Sequence, residues 1–151
     1  MGAPPVLMPP PAWFFICAML MVAIAMVAPG PDVLPAWLAG FGVLLVLGGL
    51  ILNGLAMDAF RRSGTPMDPD REPTALVQDG PYRWTRNPMY IGGILILCGL
   101  VFLLDELRSA VVVPLYVLLV ARSFVPSDER RMRARFGGAW SDYTRRVRRW
   151  I

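Results

Sequence analysis

Gly80-Pro81-Tyr82-Arg83-Trp84-Thr85-Arg86-Asn87-Pro88-Met89-Tyr90 sets two arginines, three aromatics and an Asn-Pro pair directly against a long apolar run. Spans are costly places for charge, so polar groups packed at their edge point to a site facing a bound molecule. Asn87-Pro88 predicts a helix start. Asn is a favoured N-cap, and Pro suits the first helical position because its missing N–H had no partner there anyway. Gly92 and Gly93 then fall in the first turns, and the positive end of the helix lies beside Arg83 and Arg86. Free N–H groups in such a place attract a carboxylate or phosphate. A second polar knot, Ser127-Asp128-Glu129-Arg130-Arg131, follows the last apolar run. The two knots are expected to meet and form one cofactor pocket.

Working outward, the chain of 151 residues is 56% hydrophobic with a mean hydropathy of +0.51. That predicts an all-α, polytopic membrane protein with about four transmembrane helices, against the alternative of a soluble helical bundle. The apolar runs cover about Ala12–Ala28, Leu34–Met57, Met89–Leu104 and Ala110–Val125, and the last two read as a helical hairpin turning at Asp105-Glu106. The first run lacks a basic region before it and reads as a retained span rather than a signal peptide. One domain, 1–151, is expected: 1–63 as the first two spans, and 64–151 as the cofactor-binding loop, hairpin and C-terminal tail. Ala28-Pro29-Gly30-Pro31-Asp32 reads as a turn, and Asp58–Asp79 as a polar loop held extended by Pro69 and Pro73. Gly40, Gly42, Gly48, Gly49 and Gly54 in the second run predict close helix packing, or else a bend at Gly49 and Gly54. A new helix is expected near Ser127 and a break at Phe136-Gly137-Gly138. Beyond it, Trp140, Tyr143, Val147 and Trp150 at helical spacing among arginines predict a cytoplasmic amphipathic helix in the headgroup layer.

All 15 basic residues are arginine; five lie between Asp58 and Pro88 and nine from Arg122 onward. The positive-inside rule then places both termini, the middle loop and the tail in the cytoplasm of a multi-pass protein, which predicts the cytoplasmic membrane. These arginines flank spans, so the charge of +4 does not indicate nucleic acid. Cys17 and Cys98 lie inside apolar runs and the chain has no histidine, which argues against a metal site and removes the commonest general base.

Arg83 or Arg86 suits a carboxylate, Asp128 or Glu129 an ammonium, and Tyr82, Trp84 and Tyr90 a sulfonium or a flat base. S-adenosylmethionine carries all of these groups. No Gly-x-Gly-x-x-Gly follows a strand, which excludes a doubly wound nucleotide fold.

Leu76-Val77-x-x-Gly80-Pro81-Tyr82-Arg83-x-x-Arg86-Asn87-Pro88-Met89-Tyr90-x-Gly92, then an apolar hairpin, Asp128-Glu129-Arg130, Phe136-Gly137 and Tyr143, resembles the isoprenylcysteine carboxyl methyltransferase and phospholipid methyltransferase superfamily, in its small bacterial form. The likeness covers Gly64–Ile151. It implies an integral membrane enzyme that takes S-adenosylmethionine and methylates a lipid-like or amphipathic acceptor at a carboxylate, amine or thiol. In that family an Arg-His-Pro-x-Tyr element and a Glu-Glu pair build the cofactor pocket. Arg86, Pro88 and Tyr90 match the first; Asp128 and Glu129 stand for the second; Asn87 replaces the histidine. The resemblance assigns Arg86 and Glu129 to catalysis. It assigns Val77, Gly80, Tyr82, Arg83, Asn87, Pro88, Tyr90, Gly93, Asp128 and Glu129 to the cofactor. Two other functions share parts of this pattern: an NADPH-dependent membrane reductase related to sterol reductases, and a non-catalytic lipid-binding membrane protein.

Overall fold

The computed structural model describes residues 8–27, 30, 34–66 and 71–151. The expectations at Pro69 and most of the Ala28–Asp32 turn lie outside them. The helices are α1 (Pro10–Val27), α2 (Trp37–Ser63), α3 (Pro88–Leu103), α4 (Val112–Leu119) and α5 (Val125–Arg146). Short 3-10 turns cover Gly80–Arg83 and Leu107–Val111, and a π turn at Val120–Phe124 joins α4 to α5. Among the described residues every regular element is helical; the only β feature is an isolated parallel bridge between Thr85 and Arg148.

The apolar surface faces outward. Phe15, Leu44 and Ile51 are more than 60% exposed, which water would penalise and lipid does not. Among the described residues three helices are long and apolar enough to cross a membrane: α1, α2, and the continuous stretch Leu107–Arg146. The 16 residues of α3 rise about 24 Å, short of a hydrocarbon core about 30 Å thick.

α3 lies antiparallel along α2, and glycines allow it. A Cβ placed on Gly49 would stand 2.5 Å from the Gly92 carbonyl oxygen, and one on Gly99 would stand 2.6 Å from the Gly42 oxygen. Two glycines seven apart on each helix therefore lie at the contact, and the lack of a side chain on each lets the backbones approach, with Val46, Asn53 and Ile96 packed against the glycines. Gly40, Gly48 and Gly54 face open space and take no part. On the other side of α3, Met21 of α1 packs with Leu97, Val101, Val112, Tyr116, Val120 and Phe124 in the main core.

The hairpin turns at Asp105-Glu106 as expected, with Asp105 at φ 45°. The buried Glu106 carboxylate accepts from the Gly30 N–H at 2.6 Å, and from the backbone and side chain of Arg108. Arg108 first, then these N–H groups, hold the carboxyl down at about 2. This ties the α1–α2 connection to the hairpin turn at the end of the bundle away from the arginine-rich loop.

Three elements differ from the sequence reading. α2 runs past Met57 to Ser63, because Ala56 and Ala59 pack on Val77 and Tyr82, and Arg62 pairs with Asp58 one turn back at 2.9 Å. It stops at Gly64, in the left-handed conformation at φ 66°. No break separates the last span from the helix after it: Pro126 lacks an N–H, and the wider π turn before it absorbs that loss. The helix does break at Gly137, at φ 48° and ψ −113°. Beyond it the stripe is not at a lipid surface. Trp140, Tyr143 and Val147 are buried together, against Leu76, Met132 and Phe136.

Candidate functional site

The two polar knots meet. α3 starts and α4 ends at the same end of the bundle because the hairpin brings the chain back. The uninterrupted passage through the π turn then carries Asp128 and Glu129 over the start of α3. Arg86 Nη1 donates to Glu129 Oε1 at 2.8 Å, each side chain only 15% exposed. Tyr90 donates its hydroxyl to Asp128 Oδ2 at 2.9 Å, and its ring stacks on Phe124. The Arg86 guanidinium sits 5.9 Å above the centre of the Trp140 ring. Its Nε is buried with no hydrogen-bond partner.

Asn87 does not cap α3 with its side chain. Thr85 Oγ1 accepts from the Asn87 N–H instead, at 3.2 Å, while Asn87 Nδ2 donates to the Arg149 carbonyl at 2.8 Å. A distant carbonyl competes for the amide, so the side chain binds a second segment rather than its own helix. That segment leaves α5 at Val147 in extended conformation (φ −118°, ψ 130°). The Arg86 N–H donates to the Arg148 carbonyl at 3.0 Å, and the Thr85 hydroxyl to the Arg149 carbonyl at 3.3 Å. Arg149 turns back onto the acidic residue, donating Nε to Glu129 Oε1 at 3.0 Å and Nη2 to Oε2 at 2.6 Å.

Of the other expected residues, Pro88 is buried at the first turn of α3. Tyr82 is buried against Phe60 and accepts the Tyr143 hydroxyl on its carbonyl at 2.8 Å. Val77 packs in the same small cluster under α2, and Gly80 makes the turn into Tyr82 at φ 58°. Arg83 is exposed and lines an open concavity with Gln78, Asp79, Tyr143, Arg146 and Val147, to the side of the Arg86–Glu129 pair. Gly93 lies inside the bundle, facing Tyr116 and Phe14. The structure thus joins Arg86, Asn87, Tyr90, Asp128 and Glu129 directly, and leaves Val77, Arg83 and Gly93 around them. Arg149, Thr85 and Trp140 complete the cluster; the first two carried no signal of their own, and the spacing of Trp140 pointed to the headgroup layer instead. Arg149 is one of four arginines around Val147, and nothing in the residue types distinguishes it.

Burial pushes the Asp128 carboxyl up, with the Tyr90 hydroxyl and Arg131 acting against it. Burial likewise raises the Tyr82 phenol, helped by Tyr143 and Asp128, and raises Tyr143 to about 12. Two guanidinium groups share the Glu129 carboxylate, so Arg86, Arg149 and Glu129 together hold one surplus positive charge. Such a cluster offers forked donors to an anion, a carboxylate to a cation and aromatic walls beside both.

Fold and site together define a helical membrane protein with a charged cluster at one end of its bundle, shared between a loop, a helix start and the segment after the last helix. Residues 37–138, more than half of the chain, match the phospholipid methyltransferase family, and the chain belongs to it. It is also 28% identical over 113 residues to protein-S-isoprenylcysteine O-methyltransferase B of Arabidopsis thaliana, an alignment covering 74% of this chain and 57% of that relative. The chain thus spans little more than half the length of that protein.

Proposed function

We propose that the protein is an integral membrane methyltransferase that uses S-adenosylmethionine, with its site on the cytoplasmic side and a lipid-like or amphipathic molecule as acceptor. The observation that carries this reading is the 2.8 Å contact between Arg86 and Glu129, which closes the loop before α3 against the start of α5. The residues present fit the donor. The surplus positive charge of Arg86, Arg149 and Glu129 suits its carboxylate. Glu129 and Asp128 suit its ammonium, and Tyr90 and Tyr82 wall the place beside them. When bound, the donor supplies a methyl group on a sulfonium sulfur, which leaves with its bonding pair kept on sulfur.

The protein's own work is alignment and exclusion of water. The Arg86–Glu129 pair fixes the loop to the helix. A carboxylate or thiolate acceptor needs no base at the moment of transfer, so the missing histidine is no obstacle. An amine acceptor must first lose a proton. Asp128, with its carboxyl raised by burial, is better matched to take it than an ordinary aspartate. The arginine-rich site end and the basic-poor hairpin end support the cytoplasmic placement.

Calorimetric titration of the detergent-purified protein with S-adenosylhomocysteine and with NADPH tests the reading. Micromolar binding of the first alone is expected, and Arg86→Ala and Glu129→Gln should each weaken it roughly ten- to hundredfold. Binding of NADPH alone overturns it in favour of a reductase. Wild-type affinity in both variants places the pocket elsewhere.

A further inference from the structure

Arg149 belongs neither to the loop motif nor to the acidic pair, yet it grips Glu129 with two of its nitrogens. We propose that Arg149 receives the carboxylate at the amino-acid end of the methyl donor, and so makes the site select a zwitterionic adenosyl sulfur compound over a merely cationic one. The inference rests on the methyl-donor reading above.

Placement comes first. Three hydrogen bonds fix the backbone of Arg148 and Arg149 to Thr85, Arg86 and Asn87, the residues that form the site loop. The buried Tyr143 and Val147 anchor the approach to it. The root of the Arg149 side chain is therefore set as firmly as the loop itself. Its guanidinium is the open part: it rests on Glu129 with the side chain 49% exposed, while Glu129 beneath it is 15% exposed. Arg86 differs, being equally buried with Glu129 and held over Trp140. Of the two cations on Glu129, Arg149 is the one with room to move.

Charge then decides what moves it. A ligand ammonium approaching Glu129 competes with the Arg149 guanidinium for the same oxygens. A ligand that also carries a carboxylate offers the displaced guanidinium a new forked partner, so every charge stays paired. A ligand with the ammonium alone breaks the Arg149–Glu129 pair and returns nothing for it. The site thus rewards the presence of both groups on one molecule.

The test compares S-adenosylhomocysteine with its decarboxylated counterpart by calorimetric titration of the full chain in detergent, as wild type, Arg149→Gln and Arg149→Lys, with thermal unfolding of each to check folding. Wild type should prefer S-adenosylhomocysteine about tenfold or more, the scale of one charge-assisted contact. Arg149→Gln should lose that preference, with the decarboxylated compound bound more tightly than by wild type because it no longer has a guanidinium to displace from Glu129, and Arg149→Lys should keep part of it. Equal binding of the two compounds by wild type overturns the inference without any variant. An undiminished preference in Arg149→Gln also overturns it, and leaves the methyl-donor reading standing. Binding of neither compound by wild type removes that reading and this inference together.

Discussion

Gly49→Ala tests the contact that places α3. The added methyl would stand 2.5 Å from the Gly92 carbonyl oxygen and 2.7 Å from Ile96 Cγ1, whereas ordinary contact starts at 3.4 Å. The nearer obstacle is backbone, which cannot rotate away, so α2 and α3 must part by roughly the missing ångström along a shared face. Overpacking of this kind costs about 1–3 kcal/mol, offset by about 0.5–1 kcal/mol that alanine gains over glycine inside a helix. The net loss is up to about 2.5 kcal/mol and centres near about 1 kcal/mol, a fall of roughly 2–4 °C in apparent melting temperature at that centre for a chain of this size. Gly48→Ala is the matched control: one residue away on the same helix, its new methyl meets nothing within 4 Å. It should melt at or slightly above wild type. Fluorescence-monitored unfolding in detergent micelles reads both. Gly92 sits one turn from Pro88, so Gly49→Ala should also weaken S-adenosylhomocysteine binding through the displaced start of α3. If Gly49→Ala and Gly48→Ala melt together, the close approach of the two backbones is not what holds the pair.

Two carboxylates give opposite responses to pH. Burial raises Asp128, so the folded protein binds its proton more tightly than the unfolded chain, and stability is lost as pH rises from about 4 through the raised value. Asp128→Asn, whose amide oxygen still accepts the Tyr90 hydroxyl, should melt above wild type at pH about 7.5 and converge with it below pH about 4; a lower melt at the higher pH would refute the burial argument. Glu106 is held down, so its stabilisation is present above the ordinary value of 4.5 and fades as pH falls toward about 2. Glu106→Gln should therefore lower the melting temperature at neutral pH, with the gap closing in acid. A gap of constant size down to that pH would show that shape, not charge, binds the turn.

What could be read from the residues was local. Pro88 announces the start of α3 by its own chemistry, Asp105-Glu106 announces the hairpin turn, and Gly137 announces the break in α5. What could not be read depended on partners remote in the chain. Five glycines in α2 look alike until Gly92 and Gly99 of α3 select Gly42 and Gly49 among them. Asn87 is a good N-cap by type, but its amide is claimed by a carbonyl 62 residues away. The stripe from Trp140 has the spacing of an interfacial helix. Its buried face meets Leu76 and Phe136 instead, and the helix ends before Trp150.

The site follows from a defect in a helix. Had the chain stopped at Pro126 and begun a fresh helix at Ser127, Asp128 and Glu129 would have been free to point along any direction the new helix took. The π turn at Val120–Phe124 lets the last span continue through the proline instead, so the acidic pair inherits its direction from a membrane-crossing segment packed on α1 and α3. Tyr90 and Arg86, at the head of α3, inherit theirs from the glycine contacts with α2. Two rigid helices thus meet at their charged ends. The solvent-facing charge is the Arg149 side chain, on a backbone fastened to the same loop. The arrangement places the fixed charges of the site, Arg86 and Glu129, where packing determines them, and places the adjustable one where solvent can reach it. That division suits the small zwitterion proposed as methyl donor, which would have to enter, be held during transfer and leave.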